Sequence, residues 1–143
     1  MTNTKLVNYS EFKDLLGAAK RASDPLWCRL LYRPLSFPSG WLFYRIGIKA
    51  NTVSLLTIIV SLCSCLMMIF GDSGSMVIAS FLMMLVALMD CIDGNVARAR
   101  DETGPGGEWM DALSGYTVYA LLPLTLGIHV YLEYPSVMLP GLW

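Results

Sequence analysis

Apolar and polar positions fall in long blocks along this chain. After about fifty mostly polar residues, apolar runs extend from about Asn51 to Phe70, from near Met76 to about Ala99, and from near Glu108 to about Tyr134. At 1.5 Å per residue each can cross a hydrocarbon core about 30 Å thick, so the pattern predicts three transmembrane helices. Gly71-Asp72-Ser73-Gly74 reads as a tight turn between the first two, and Gly104-Pro105-Gly106-Gly107 as a loop between the second and third. Pro123 and Gly127 are expected to kink the third helix. Ser54, Thr57, Ser61 and Ser64 in the first can bond back to their own helix or let a neighbour approach closely. Val137 to Trp143 is apolar again but too short to span.

The N-terminal block has its own periodicity. From Ser10, an expected N-cap, Phe12, Leu15, Leu16 and Ala19 recur at helical spacing and predict a short amphipathic helix. Residues 1–8 show no such pattern. Beyond Asp24-Pro25, the segment Leu26 to Gly47 mixes Trp27, Tyr32, Trp41, Phe43 and Tyr44 with Arg29, Arg33 and Arg45. That mixture suits a lipid headgroup layer and predicts an interfacial helix. A helix packed on the membrane domain accounts for it equally well.

Composition narrows the class. Hydrophobic residues make up 55% of the 143 and charged residues 15%, too apolar for an ordinary soluble domain. All ten Lys and Arg lie at or before Arg100, where they punctuate apolar segments. Without a basic groove, nucleic-acid binding is excluded. Arg45 and Lys49 before the first span, with Arg98 and Arg100 after the second, place the N-terminus and these helix ends in the cytoplasm. The polar N-terminus excludes a cleavable secretory signal. Cys28, Cys63, Cys65 and Cys91 read as small apolar packing residues, since Cys63 and Cys65 face different sides of one helix and a single histidine offers little for zinc. The expected fold is an all-α integral membrane protein, with an amphipathic interfacial region over residues 1–48 and a transmembrane region over 49–143.

Chemistry concentrates between Asp90 and Gly115. Asp90, Asp93, Gly94, Ala97 and Arg98 share one helix face. An aspartate at the centre of a membrane helix costs about 2.5–3.5 kcal/mol on insertion scales, so such acids point to function. With Asp111 a short loop later they form an oxygen-rich set suited to Mg²⁺, Mn²⁺ or Ca²⁺. Asp90 precedes Arg98 by eight residues, about 12 Å along the helix, so a polar cavity must reach that depth. Helix capping, or a buried ion-pair network with Arg98 and Arg100, is the competing explanation for the acids. A cytoplasmic anchor competes for both arginines, and an acid stabilising a helix start competes for Glu108.

These residues resemble the signature of the CDP-alcohol phosphotransferase family, D-x2-D-G-x2-A-R-x8-G-x3-D-x3-D. Asp90, Asp93, Gly94, Ala97, Arg98, Gly107 and Asp111 match in identity and spacing; the last position is Gly115 where the family has aspartate. Ala50-Asn51-x-Val53-Ser54 is similar to the family's P/A-N-x-[VI]-[TS] at the start of its first span. The resemblance implies six transmembrane helices behind an amphipathic helix. Residues 49–143 are then half of a six-helix bundle, either a fragment or a chain whose other half comes from elsewhere. It also implies transfer of a substituted phosphate from CDP-diacylglycerol or another CDP-alcohol to an alcohol acceptor, with release of CMP, and a homodimer among membrane lipids.

For particular residues, the resemblance implies two Mg²⁺ or Mn²⁺ ions at Asp90, Asp93 and Asp111. Asp90, Gly94, Ala97 and Arg98 are then nucleotide contacts, Gly94 and Ala97 by keeping the helix surface low, and Gly107 lies in a phosphate loop. The family's aspartate at position 115 is a metal ligand and proposed general base. A positioned base contributes about 10²–10⁴-fold. Catalytic duty here falls on Asp111 and, as a replacement, on Glu108, three residues earlier on the same face. Asp101 and Glu102 are loop acids able to fold over the site, whereas His129 is about 21 Å further along the helix from position 115. Two rival functions remain: a binding protein that holds metal and CDP-lipid without turnover, and a structural or transport subunit whose acids line an ion path.

Overall fold

The computed structural model describes residues 8–17, 26 and 28–134. Among these the elements are α1 (Tyr9–Gly17), a π-helical turn (Cys28–Tyr32), α2 (Arg33–Ile46), α3 (Ala50–Phe70), α4 (Ser73–Ala99) and α5 (Pro105–Glu133), with no strand. The expectations for Ala19, Asp24-Pro25, Trp27 and Val137 to Trp143 lie outside the described residues.

α3, α4 and α5 are long and apolar enough to cross a membrane. Their outward residues show why they need one. Leu55, Ile59, Leu62, Leu66 and Phe70 form an exposed apolar surface on α3, which water would penalise and lipid does not. The chain is a membrane protein, and among the described residues its regular elements are all helices.

α3 lies between α4 and α5, packing extensively on both, while those two touch each other much less. Small hydroxyl residues allow the close approach. Ser54, Thr57, Ser61 and Ser64 are all buried on α3, and the last three donate their hydroxyl protons to carbonyls. Thr57 donates to Val53 O (3.0 Å) and Ser61 to Ile58 O (2.8 Å), while Ser64 crosses to Ala79 O of α4 (2.8 Å). Apolar packing of Ala50 and Val53 on Met89, Ile92 and Val96 holds the α3–α4 pair near the other end.

Two helix starts differ from the sequence reading. α4 begins at Ser73, earlier than Met76, because Asp72 caps it by accepting from Ser75 N–H at 3.0 Å. Only Gly71 and Asp72 remain for the turn. A Cβ at Gly71 would collide with Met67 O and with Ser75 Cβ, so no side chain fits there. α5 begins at Pro105, earlier than Glu108, with Gly104 as N-cap. Proline is preorganised for the first helical turn and its missing N–H costs nothing there. Gly106 and Gly107 are therefore helical, so Gly107 stands in the first turn of α5 and not in a loop. The α5 helix also continues through Pro123 and Gly127 to Glu133.

α1 and α2 sit across the end of α4. Phe12 and Leu16 are buried against Tyr44, with the Phe12 and Tyr44 rings 5.7 Å apart. Tyr9 meets the Trp41 ring edge-on at 5.8 Å, and the Arg45 guanidinium lies over Trp41 at 5.3 Å. A Cβ on Gly40 would be 3.4 Å from Asn95 Cβ and 3.5 Å from Phe12 Cζ, so this glycine lets three helices meet. Arg100 locks the arrangement by donating to Tyr44 O (3.1 Å) with its guanidinium 5.3 Å from the centre of that ring.

Candidate functional site

Asp90 and Asp93 come from the second half of α4 and Asp111 from the second turn of α5. One carboxylate oxygen of each lies within 4.8 Å of the others. Asp93 is only 2% exposed, while Asp90 and Asp111 are open to a cavity. The return of the chain that brings Asp111 back is short. Asp101 adopts a left-handed conformation (φ 55°), and Glu102 N–H donates to Ala97 O at 2.9 Å. A short extended step then reaches the proline-led start of α5.

Ser54 of α3 donates to Asp93 Oδ2 at 2.7 Å, and the Gly94 N–H to Oδ1 at 2.6 Å. The sequence reading assigned Ser54 to packing. Its place in the Ala50-Asn51-x-Val53-Ser54 stretch was the available signal. Three carboxylates this close repel one another, and a buried one has also lost its water. A hard divalent cation answers both, and three carboxylates with a supporting hydroxyl suit such an ion. The residues present therefore fit a Mg²⁺ or Mn²⁺ centre.

Two cavities adjoin the cluster. One, of about 260 Å³, reaches from Asn51 and Ser54 past Asp93 and Ala97 to Gly107 and Glu108. The other, of about 210 Å³, is lined by Leu16 of α1, by Arg33 and Phe37 of α2, and by Asp90 and Cys91 of α4. Gly94, Arg98 and Asp111 line both. These three residues are where the two cavities adjoin.

Each residue expected at a nucleotide site borders a cavity, but not as a bare surface throughout. A Cβ on Gly94 would lie 3.4 Å from Arg98 Nη2 and 3.5 Å from Nη1, so the Arg98 guanidinium covers that glycine. Ala97 faces the larger cavity beside it. Gly107 is needed for close passage of the chain, since its Cβ would be 3.0 Å from Glu102 O. Glu108 and Glu102 line the larger cavity without joining the three-carboxylate group, and Asp101 lines neither cavity. The two arginines part company: Arg100 is committed to Tyr44, whereas Arg98 lines both cavities. Gly115, one turn past Asp111, has nothing within 4 Å of where a Cβ would stand.

The three-carboxylate cluster and the two cavities beside it lie at one end of a bundle of helices long and apolar enough to cross a membrane. Residues 48–139 match the family model for CDP-alcohol phosphatidyltransferase, and the chain belongs to that family. Membership places it among the membrane transferases of phospholipid biosynthesis. A search of curated proteins found no match.

Proposed function

We propose that this chain carries the donor site of a phosphotransferase that moves a phosphatidyl group from a CDP-linked lipid to an alcohol, releasing CMP. The observation that carries the reading is the convergence of Asp90, Asp93 and Asp111 within 4.8 Å beside a cavity bordered by Ala97 and Gly107. Mg²⁺ or Mn²⁺ ions held by these carboxylates would neutralise charge on the donor's phosphates and on the departing CMP. The side chains divide the remaining work. Asp90, Gly94, Ala97 and Arg98 receive the nucleotide, Arg98 offering N–H donors to phosphate. Ser54 keeps the Asp93 carboxylate turned toward its partners. The larger cavity takes the CDP moiety, and the cavity under α1 and α2 receives the acceptor alcohol. Both open to the cytoplasm, where the arginines at these helix ends belong.

Gly115 favours a second reading. It offers no carboxylate one turn beyond Asp111, so proton removal from the acceptor falls to Asp111 or to Glu108 in the adjoining wall. A site of this kind holds metal and CDP-lipid more effectively than it turns them over. The test is CMP release by the protein in lipid nanodiscs, supplied with CDP-diacylglycerol, Mg²⁺ and a panel of alcohols. Mg²⁺-dependent release with one acceptor is the expected result. Mg²⁺-dependent binding of CDP-diacylglycerol without release selects the second reading, and neither binding nor release overturns both.

A further inference from the structure

We propose that Asn95 is a positioning residue, steered by the interfacial helix α2, that holds the Arg98 guanidinium over Gly94 to receive the phosphates of the donor. The proposal rests on the donor reading above. Asn95 occupies a position the family signature leaves open, and the sequence gives it no role. In the fold it is buried, 7% exposed, between α2 and α4.

Its carboxamide is engaged at both ends. Nδ2 donates to Ser36 Oγ at 3.2 Å, with Ser36 O a further 3.5 Å acceptor, and Oδ1 accepts from Arg98 Nη2 at 2.9 Å. Ser36 is buried too, and its own hydroxyl proton goes to Arg33 O at 3.2 Å. Its oxygen therefore faces Asn95 as an acceptor. Only one amide orientation satisfies these partners, because the flipped form sets an NH₂ group against a guanidinium, donor against donor. The bare surface of Gly40 brings α2 close enough for the contact, since its Cβ would lie 3.4 Å from Asn95 Cβ.

The chain of contacts ends at Arg98, which lines both cavities. Arginine is long and flexible, but its guanidinium is a planar fork, so fixing one nitrogen orients the whole set of donors. A packing amide would spend its oxygen on backbone. This one spends it on the cation that faces both chambers and covers Gly94. The seating of α2 is thereby transmitted to the phosphate-binding group through Ser36 and Asn95.

The test compares CDP with cytidine, which lacks phosphates, by calorimetry on the full chain in nanodiscs with saturating Mg²⁺. Asn95→Ala should weaken CDP binding about tenfold, within the coupling typical of contacting residues, and leave cytidine within about twofold. Arg98→Ala should weaken CDP at least as much, and Asn95→Ala added to it should cost nothing further. Ser36→Ala, made on a different helix and leaving Asn95 and Arg98 in place, should produce a smaller loss of about threefold with the same selectivity for CDP. It carries the decision if Asn95→Ala does not fold. Asn95→Ala or Ser36→Ala that weakens CDP and cytidine equally, or losses for Asn95 and Arg98 that simply add, would overturn the proposal while leaving the donor reading intact. Wild-type protein that binds no CDP would overturn both.

Discussion

Two aspartates of the α4 region are held in opposite ways. Asp72, fully exposed at the helix start, finds its partners within one turn, accepting from Ser75 N–H at 3.0 Å and Ser75 Oγ at 2.7 Å. The Ser75 hydroxyl and then its N–H hold the Asp72 carboxyl below the ordinary carboxylate range. Asp93, near the helix end, is 2% exposed, takes a hydrogen bond from Ser54, which is 39 residues away, and has two other carboxylates within 4.8 Å. The first acid stabilises the helix that bears it. The second is kept in a costly place by contacts from other helices, the signature of a site and not of a cap.

Exchanging the two roles gives the largest expected effect. Asp93→Asn should abolish Mg²⁺-dependent CDP binding and any CMP release, while Asp72→Ala should leave both within about twofold, as distant surface changes do. Calorimetry with CDP and a CMP-release assay make the comparison. Loss of binding in both variants would show global unfolding instead of a local site.

Gly115→Asp is expected next. Nothing stands within 4 Å of a Cβ there, so the side chain is accommodated one turn from Asp111 on the same face. It should raise CMP release by up to about 10²–10⁴-fold, the contribution of a positioned base. An unmodified protein whose turnover Gly115→Asp does not improve would assign the base elsewhere, with Glu108→Gln the next substitution to measure.

Ser54→Ala should have a middle-sized effect. It leaves the ligands in place but removes the hydroxyl that orients Asp93, and groups of this kind tune metal affinity about 10–100-fold. A Mn²⁺ titration of wild type and variant gives the ratio, and an unchanged affinity would reduce Ser54 to a packing residue.

The smallest effect belongs to Asp72. Because its carboxyl titrates below the ordinary aspartate value of 3.8, its capping contribution is complete above that pH and fades as pH falls through the lower folded value. The thermal midpoint of Asp72→Ala should lie slightly below wild type at neutral pH, and the difference should shrink in acid.

The sequence made much of this legible and left specific parts hidden. The spans were readable because lipid demands long apolar helices. The Asp90–Asp93–Gly94–Ala97–Arg98 face was readable because helical spacing fixes which side chains align. Both helix starts lie earlier than the glycines and proline in them suggest, because Asp72 and Gly104 are N-caps of helices that include these residues. Arg98 and Arg100 look alike in sequence, yet only the tertiary fold commits Arg100 to Tyr44 and leaves Arg98 over Gly94. The Ser36–Asn95 contact joins residues 59 apart on different helices. No local pattern encodes such a contact.

The central claim, that three carboxylates at the end of a helical membrane bundle form a divalent-cation centre, is tested most directly by Mn²⁺ binding followed by electron paramagnetic resonance. Purified protein in nanodiscs should bind Mn²⁺ saturably, Mg²⁺ should displace it, and CDP should tighten it. Asp93→Asn should lose this binding and Asp72→Ala should keep it. Equal Mn²⁺ binding by wild type and Asp93→Asn would contradict the claim.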